Sequence, residues 1–269
     1  MSGQGLRGVA DNWLRLPQLR GLAGRDFDSL EATQIQRAIF EDKAAIRFLY
    51  AQYCRPMLES AARAPAGAVM LEVGAGAGLL KKHLPRVISS DLMAAPWLDL
   101  VCSAYQLPFG PQSLDRVFLL FVCHHLGRME EFLNEAYRCL KPGGEMVVVD
   151  PAITAFSKFY YRHLHVDSLD LEADGWGFDQ QGRLTDSNVA LPWMVFVRDR
   201  QKFLAKYPGF SIRPIEYNTC LSYLLSGGLR LRQLLPTAAL RRLFATEKWL
   251  IDHGLRALAA TMCLTIVRT

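Results

Sequence analysis

Three glycines at alternate positions close an apolar run, Val69-Met70-Leu71-Glu72-Val73-Gly74-Ala75-Gly76-Ala77-Gly78. The run reads as a buried strand that stops in a glycine turn before a helix. Glycine lacks a Cβ and tolerates positive φ, so such a turn lets backbone approach a ligand closely. The following helix offers its unpaired N–H groups to the same place. Together they make a pocket of nucleotide type, and the details decide which ligand.

The details of the turn exclude two common ligands. A dinucleotide fingerprint needs G-x-G-x-x-G, and here Gly78 comes one residue early with Leu79 in the expected slot. A phosphate-gripping loop needs Lys followed by Ser or Thr, and neither pair follows these glycines. Glu72, inside the turn, would also repel a pyrophosphate and suits a cationic ligand end. A second acid, Asp91, ends what reads as a short second strand, Val87-Ile88-Ser89-Ser90-Asp91. At the carboxyl end of a parallel strand it is placed to accept hydrogen bonds from both hydroxyls of a ribose.

The rest of the chain supports an α/β reading. A helical N-terminal segment over 1–64 carries the stripe Ile35, Ile39, Ile46 and Leu49, with a helix from about 28 to 59. A cofactor-binding core spans 65–151, with strands at 68–73, 87–91, 115–122 and 145–150. Helices follow the glycine turn at 77–84 and run from Met129 to Leu140. Met146-Val147-Val148-Val149 is continuously apolar, as a strand buried on both faces requires. Residues 152–205 break the alternation. They hold Phe156, Phe159, Tyr160, Tyr161, His163 and His165 on a helix candidate, then a loop, and read as an inserted lid. Segment 206–269 completes the sheet with strands at 210–217 and 261–267, and carries a Leu- and Arg-rich region at 229–260 that Pro236 splits into two shorter helices.

Composition narrows the setting. The chain has 269 residues, 51% hydrophobic, enough for a sizeable core. Its six cysteines form no C-x-x-C pair, so neither a metal site nor a disulfide framework is expected. No apolar run of signal-peptide or membrane-spanning length is visible, and the net charge of +5 is diffuse. These features fit a cytoplasmic protein with no nucleic-acid partner. The basic 229–260 region suggests peripheral contact with a membrane surface, against the plainer reading of helices packed on the sheet with solvated basic faces.

The segment from Val69 to Pro151 resembles the core of class I S-adenosylmethionine-dependent methyltransferases, in the group with Leu-Pro-Phe and Lys-Pro-Gly-Gly motifs. Glu72 with Gly74, Gly76 and Gly78 resembles the motif that holds the methionine end of the cofactor. Asp91 matches the ribose-binding acid. Gln106-Leu107-Pro108-Phe109 resembles the segment beside the adenine, and Leu140-Lys141-Pro142-Gly143-Gly144 the turn into the fifth strand. The resemblance implies a Rossmann-like, mostly parallel seven-stranded sheet whose last strand is antiparallel, with S-adenosyl-L-methionine as cofactor. It puts Ser103 and Tyr105 at the adenine end. Ser103 stands where the family usually has an acid. Only Leu92 to Pro96 separates the second strand from the expected third, so a crossover helix is missing or the third strand is irregular.

The chemistry expected of such a core is methyl transfer in a dry pocket, with the protein supplying position and, in some cases, a base. His124 and His125 follow the fourth strand, where an acceptor meets the methyl group, and His163 lies in the aromatic insertion. These three are the candidate bases. The Asn/Asp-Pro-Pro-Tyr/Phe pattern of adenine and glutamine methyltransferases is absent after the fourth strand, which argues for an oxygen or carbon acceptor over those nitrogens; with the aromatic insertion, the expected acceptor is an apolar small molecule or a lipid-linked one, methylated first of all at oxygen. The rival reading is a non-catalytic relative that keeps the fold to bind a partner or a membrane.

Overall fold

The computed structural model describes residues 16–22, 28–163, 167–218 and 221–269. His165 and Cys220 lie outside the described residues. The N-terminal part forms two helices, α1 (Leu30–Asp42) and α2 (Ala44–Ala62), instead of the single helix expected from 28 to 59. The Ser29 side chain caps α1 by accepting from the Ala32 N–H. The break falls at Lys43, whose ammonium donates to the carbonyls of Ser226, Gly228 and Leu231. A tertiary contact thus ends the helix where the local sequence gives no stop signal.

The core alternates as expected: β1 (Met70–Val73), α3 (Leu79–His83), β2 (Ile88–Asp91), β3 (Leu100–Val101), β4 (Leu114–Leu120), α4 (Met129–Cys139) and β5 (Leu140–Pro151). The remainder comprises α5 (Ala155–His163), α6 (Leu191–Trp193), a wide helical turn over Met194–Arg198, α7 (Arg200–Lys206), β6 (Phe210–Ile212), β7 (Glu216–Asn218), α8 (Leu221–Leu225), α9 (Thr237–Asp252) and β8 (Thr261–Arg268). The strand order is β3-β2-β1-β4-β5-β8-β6, with β7 also paired to β8. β1 to β5 are parallel, and β8 runs antiparallel between β5 and β6.

Two expectations, on the strand over 210–217 and on Pro236, are corrected, and the one on the short second crossover holds. The strand over 210–217 is two short strands, because Pro214 has no N–H to give the ladder. β3 is only two residues long and no helix joins it to β2. Asp99 closes that connection, accepting from the Ser89 N–H and hydroxyl. Pro236 does not divide two helices: it precedes α9, and residues 229–236 hold no helix.

Alternation along the strands divides the core between the two faces. Met70, Phe118, Val147 and Val149 pack under Leu49, Tyr53, Cys54 and Met57 of α2. Leu71, Val117, Leu119, Met146 and Val148 pack with Phe132, Leu133 and Ala136 of α4 and with Val195 and Phe196. The carboxyl ends of β1, β2, β4 and β5 meet at one edge, and the candidate residues collect there.

Candidate active site

Glu72 and Asp91 come together as the sequence implied. β1 and β2 are parallel neighbours with Glu72 opposite Ser89, so Asp91, two residues beyond, projects from the same face. Both acids are buried. Asp91 is engaged: its Oδ2 accepts from the Gly76 N–H at 2.8 Å, and its Oδ1 from the Met93 N–H at 3.2 Å. Glu72 is not: its Oε2 is buried without any hydrogen-bond partner. Burial, reinforced by the charge of Asp91, pushes the Glu72 carboxyl up to about 8, against the opposing pull of Lys81. A buried carboxyl without a partner is costly as an anion, and a cation beside it removes that cost.

The glycine turn is built for close approach. Gly74 has φ +68, and a Cβ there would lie 2.7 Å from the Val122 side chain, so β1 and the end of β4 touch through this glycine. Gly78, at φ +71, would clash with Trp97 at 2.8 Å. Trp97 donates to the Gly76 carbonyl at 2.8 Å, and Arg37 stacks on its ring at 4.8 Å while donating to the Ala77 carbonyl. Ser103 accepts from the Tyr105 N–H at 3.2 Å and so caps its own turn. The Tyr105 ring lies 4.0 Å under the Arg128 guanidinium, and its hydroxyl reaches Gln180 of the insertion at 3.1 Å.

Residues 180–184 close on this edge from outside. Arg183 pairs with Asp91 Oδ1 at 3.3 Å and donates to the Thr33 hydroxyl at 3.1 Å. Gln180 donates to the His125 carbonyl at 2.7 Å. Asp28 accepts from the Leu184 N–H at 2.5 Å, tying the N-terminal segment to the same loop.

The two adjacent histidines share the end of β4, on a single helical turn, Cys123–His125. Their ring centroids are 4.1 Å apart. His124 Nδ1 lies 2.5 Å from Asp150 Oδ1, and both side chains are buried. His125 Nδ1 donates to the Asp186 carbonyl at 3.0 Å, and burial with the neighbouring His124 holds it down to about 4. His125 is therefore neutral at ordinary pH. His163 sits elsewhere: it is exposed at the end of α5, with its ring 5.0 Å from Phe159.

Several residues of this edge gave no sequence signal. Phe121, just after β4, has φ +58, a strained conformation for a bulky side chain. Its ring packs edge-on against Tyr50 at 5.8 Å and Tyr53 at 5.3 Å, both from α2. Tyr50 is hydrogen-bonded to Tyr223, and burial raises the phenols of Tyr50, Tyr161 and Tyr223 above their ordinary range. These residues are spread over more than 170 positions, so only the fold unites them.

Residues 71–148 match a family model described as a methyltransferase domain. The ubiquinone/menaquinone biosynthesis C-methyltransferase of Bartonella bacilliformis is 32% identical over 85 residues, 31% of this chain and 29% of that protein. Its counterpart in Rhizobium meliloti is 31% identical over 110 residues, 39% of this chain and 38% of that protein. The chain thus spans about a third of the length of these relatives. Among solved structures, geranyl diphosphate C-methyltransferase from Streptomyces coelicolor A3(2), in complex with Mg2+, geranyl diphosphate and S-adenosyl-L-homocysteine, is similar. It is 15% identical, with a TM-score of 0.47, covering 83% of this chain and 82% of that one. Among the described residues no helix is long and apolar enough to cross a membrane.

Proposed function

We propose that this chain, whose residues 71–148 match a methyltransferase domain, is an S-adenosylmethionine-dependent methyltransferase that acts on an apolar small-molecule or lipid-linked acceptor, at a carbon beside an ionisable hydroxyl. The observation that carries the reading is the unpartnered Glu72 carboxyl beside Asp91 in the glycine turn. Glu72 fits the ammonium of the methionine end, and Asp91 fits the ribose hydroxyls. Gly74, Gly76 and Gly78 shape the turn between them, with Ser103 and Tyr105 at the adenine end. When bound, S-adenosylmethionine supplies an electrophilic methyl on a sulfonium.

Of the oxygen and carbon acceptors that the sequence leaves open, with a lean to oxygen, carbon is favoured here. The relatives of the core are named C-methyltransferases. A carbon nucleophile of that kind is made by removing a proton from the neighbouring hydroxyl. His124 offers a ring nitrogen for it: Nδ1 is held by Asp150, and Nε2 has no protein partner among the described residues. His125 packs beside it as a neutral ring. The tyrosines around Phe121 form an aromatic wall, and the 152–205 insertion serves as the lid that keeps the pocket dry.

Two assays test this. Calorimetry with S-adenosylhomocysteine should give saturable binding; no heat at millimolar ligand rejects the reading. Methyl-labelled S-adenosylmethionine with 1,4-dihydroxynaphthalene and with prenylated phenols should yield a carbon-bound methyl by NMR. An oxygen-bound methyl would restore the earlier expectation.

The outer side of α9 carries exposed Arg241, Arg242 and Trp249, with Leu255 and Arg256 beyond, while Leu240, Phe244 and Ile251 face inward. We infer from this pairing of basic and apolar residues a peripheral contact through which a lipid-linked acceptor is reached. Trp249→Glu should abolish co-sedimentation with anionic vesicles, and equal sedimentation of the variant would remove the contact.

A further inference from the structure

We infer that Asp150 is a positioning residue: it fixes the proton of His124 on Nδ1 and so leaves Nε2 bare, as the nitrogen that takes the acceptor's proton. The inference rests on the methyl-transfer reading and adds to it the group that makes His124 a base.

The argument starts from where Asp150 stands. It follows Val149 at the carboxyl end of β5 and is fully buried. Its Oδ2 accepts from the N–H groups of Val122 at 3.2 Å and Cys123 at 2.9 Å. Its Oδ1 is 2.5 Å from His124 Nδ1. A carboxylate accepts and does not donate, so the proton on this contact belongs to Nδ1. The imidazole then carries its lone pair on Nε2. The main chain beneath the ring is anchored as well, because the His124 carbonyl accepts from the Asn188 N–H at 2.9 Å.

Phe121 is part of the same device. Its positive φ turns the chain out of β4 so that the next two N–H groups point at one carboxylate oxygen. Strain of this kind persists where the surroundings over-determine it, and it gathers at functional sites. A histidine that only filled space would need neither a buried acid nor a strained residue to aim it. The other charged or titratable groups near the pair are His125 at the end of β4, Tyr161 on α5, Cys123 beside it and Asp167 in the following loop. His125 has its own proton committed to Asp186, so it does not compete for Asp150.

The proton balance is simple. The acceptor hydroxyl loses its proton to His124 Nε2, and His124 becomes an imidazolium. The electron pair delocalised onto the neighbouring carbon forms the new C–CH3 bond as the methyl's bond to sulfur breaks, that pair staying on sulfur as a neutral thioether. The hydrogen on the methylated carbon then moves as a proton to the oxygen, which restores the hydroxyl and the ring. Asp150 stays ionised and offsets that charge, and the proton leaves to solvent after methyl transfer.

Asp150→Asn separates this role from a structural one. The carboxamide oxygen can keep the two backbone N–H bonds, but the amide nitrogen must then donate to Nδ1, which forces the proton onto Nε2. Two-bond 15N–1H NMR should show His124 as the Nδ1–H tautomer in the wild type and the Nε2–H tautomer in the variant. S-adenosylhomocysteine affinity should stay within about twofold. Loss of proper tautomer in such a triad-like arrangement costs up to ~10⁴-fold in rate. An Nδ1–H ring retained in the variant would overturn the inference. So would an Nε2–H ring in the wild type, a measurement that needs no variant to fold. Absence of S-adenosylhomocysteine binding by the wild type is a separate outcome, and it removes the methyl-transfer reading itself.

Discussion

On the proposed reading, a cation bound beside Glu72 should release a proton from it, and that release can be counted. The free protein holds this carboxyl protonated well into the neutral range, because burial and the Asp91 charge raise it from 4.5 to about 8. At 1.36 kcal/mol per unit, the shift corresponds to a bias of about 5 kcal/mol against the anion. The sign follows directly. The folded chain keeps a proton that the unfolded chain gives up, so Glu72 lowers stability as pH rises from 4.5 towards 8. An ammonium placed beside Oε2 reverses this, and the proton leaves as the ligand binds. Below about pH 8, while the ligand amine is charged, affinity should climb by roughly tenfold per pH unit. Between pH 5.5 and 7 that is about 30-fold. Calorimetry of S-adenosylhomocysteine binding in phosphate and in an amine buffer, both at pH 6.5, gives the count from the difference in heats. About one proton should be released per ligand. Glu72→Gln should bind more weakly, release none and lose the pH slope. Flat affinity from pH 5.5 to 7 in the wild type, or the same slope in the variant, would refute the reasoning.

Other expectations follow from neighbouring contacts. Asp91→Ala removes a charged acceptor and should weaken S-adenosylhomocysteine binding by roughly 1.5–3 kcal/mol, read by the same calorimetry; unchanged affinity would place the ribose elsewhere. Arg183→Ala frees Asp91 from the insertion, so ligand association should speed up by an order of magnitude or so in stopped-flow fluorescence. A slower or weaker association would mean that Arg183 holds the ligand. His125 is kept neutral down to about 4 in the folded chain, so it should cost up to about 3 kcal/mol of stability as pH falls from about 6.5 to 4. Urea melts of wild type and His125→Asn at pH 7 and 4.5 isolate that term, which the variant should lack. Gly78→Ala forces a Cβ against Trp97 at positive φ and should lower the thermal midpoint by several degrees, a loss of about 1–2 kcal/mol.

The parallel core was legible because its signals are local. A glycine turn, an acid at a strand end and a continuous apolar run each lie within ten residues. Glu72, Asp91, the three glycines and the histidine pair accordingly stand together at the carboxyl edge. What the sequence hid is held by distant contacts. Lys43 ends α1 through carbonyls about 185 residues away. Trp97, read as the start of a strand, is instead the side chain that covers Gly76 and Gly78. Asp150 looked like the last residue of β5, and nothing in its neighbours marks it as the partner of His124. Phe121 carries no turn signature at all, since its φ is imposed by the packing of α2 and the Asp150 contacts. Arg183 lies in a stretch without periodicity, and only the folded chain brings it to Asp91.

A crystal structure with S-adenosylhomocysteine bound tests the central claim most directly. The account predicts the ligand's ammonium beside Glu72, both ribose hydroxyls on Asp91 in place of Arg183, and the sulfur facing the His124 side of the cleft. Ligand density away from the turn between β1 and α3, or a Glu72 side chain still without a partner in the complex, would contradict it.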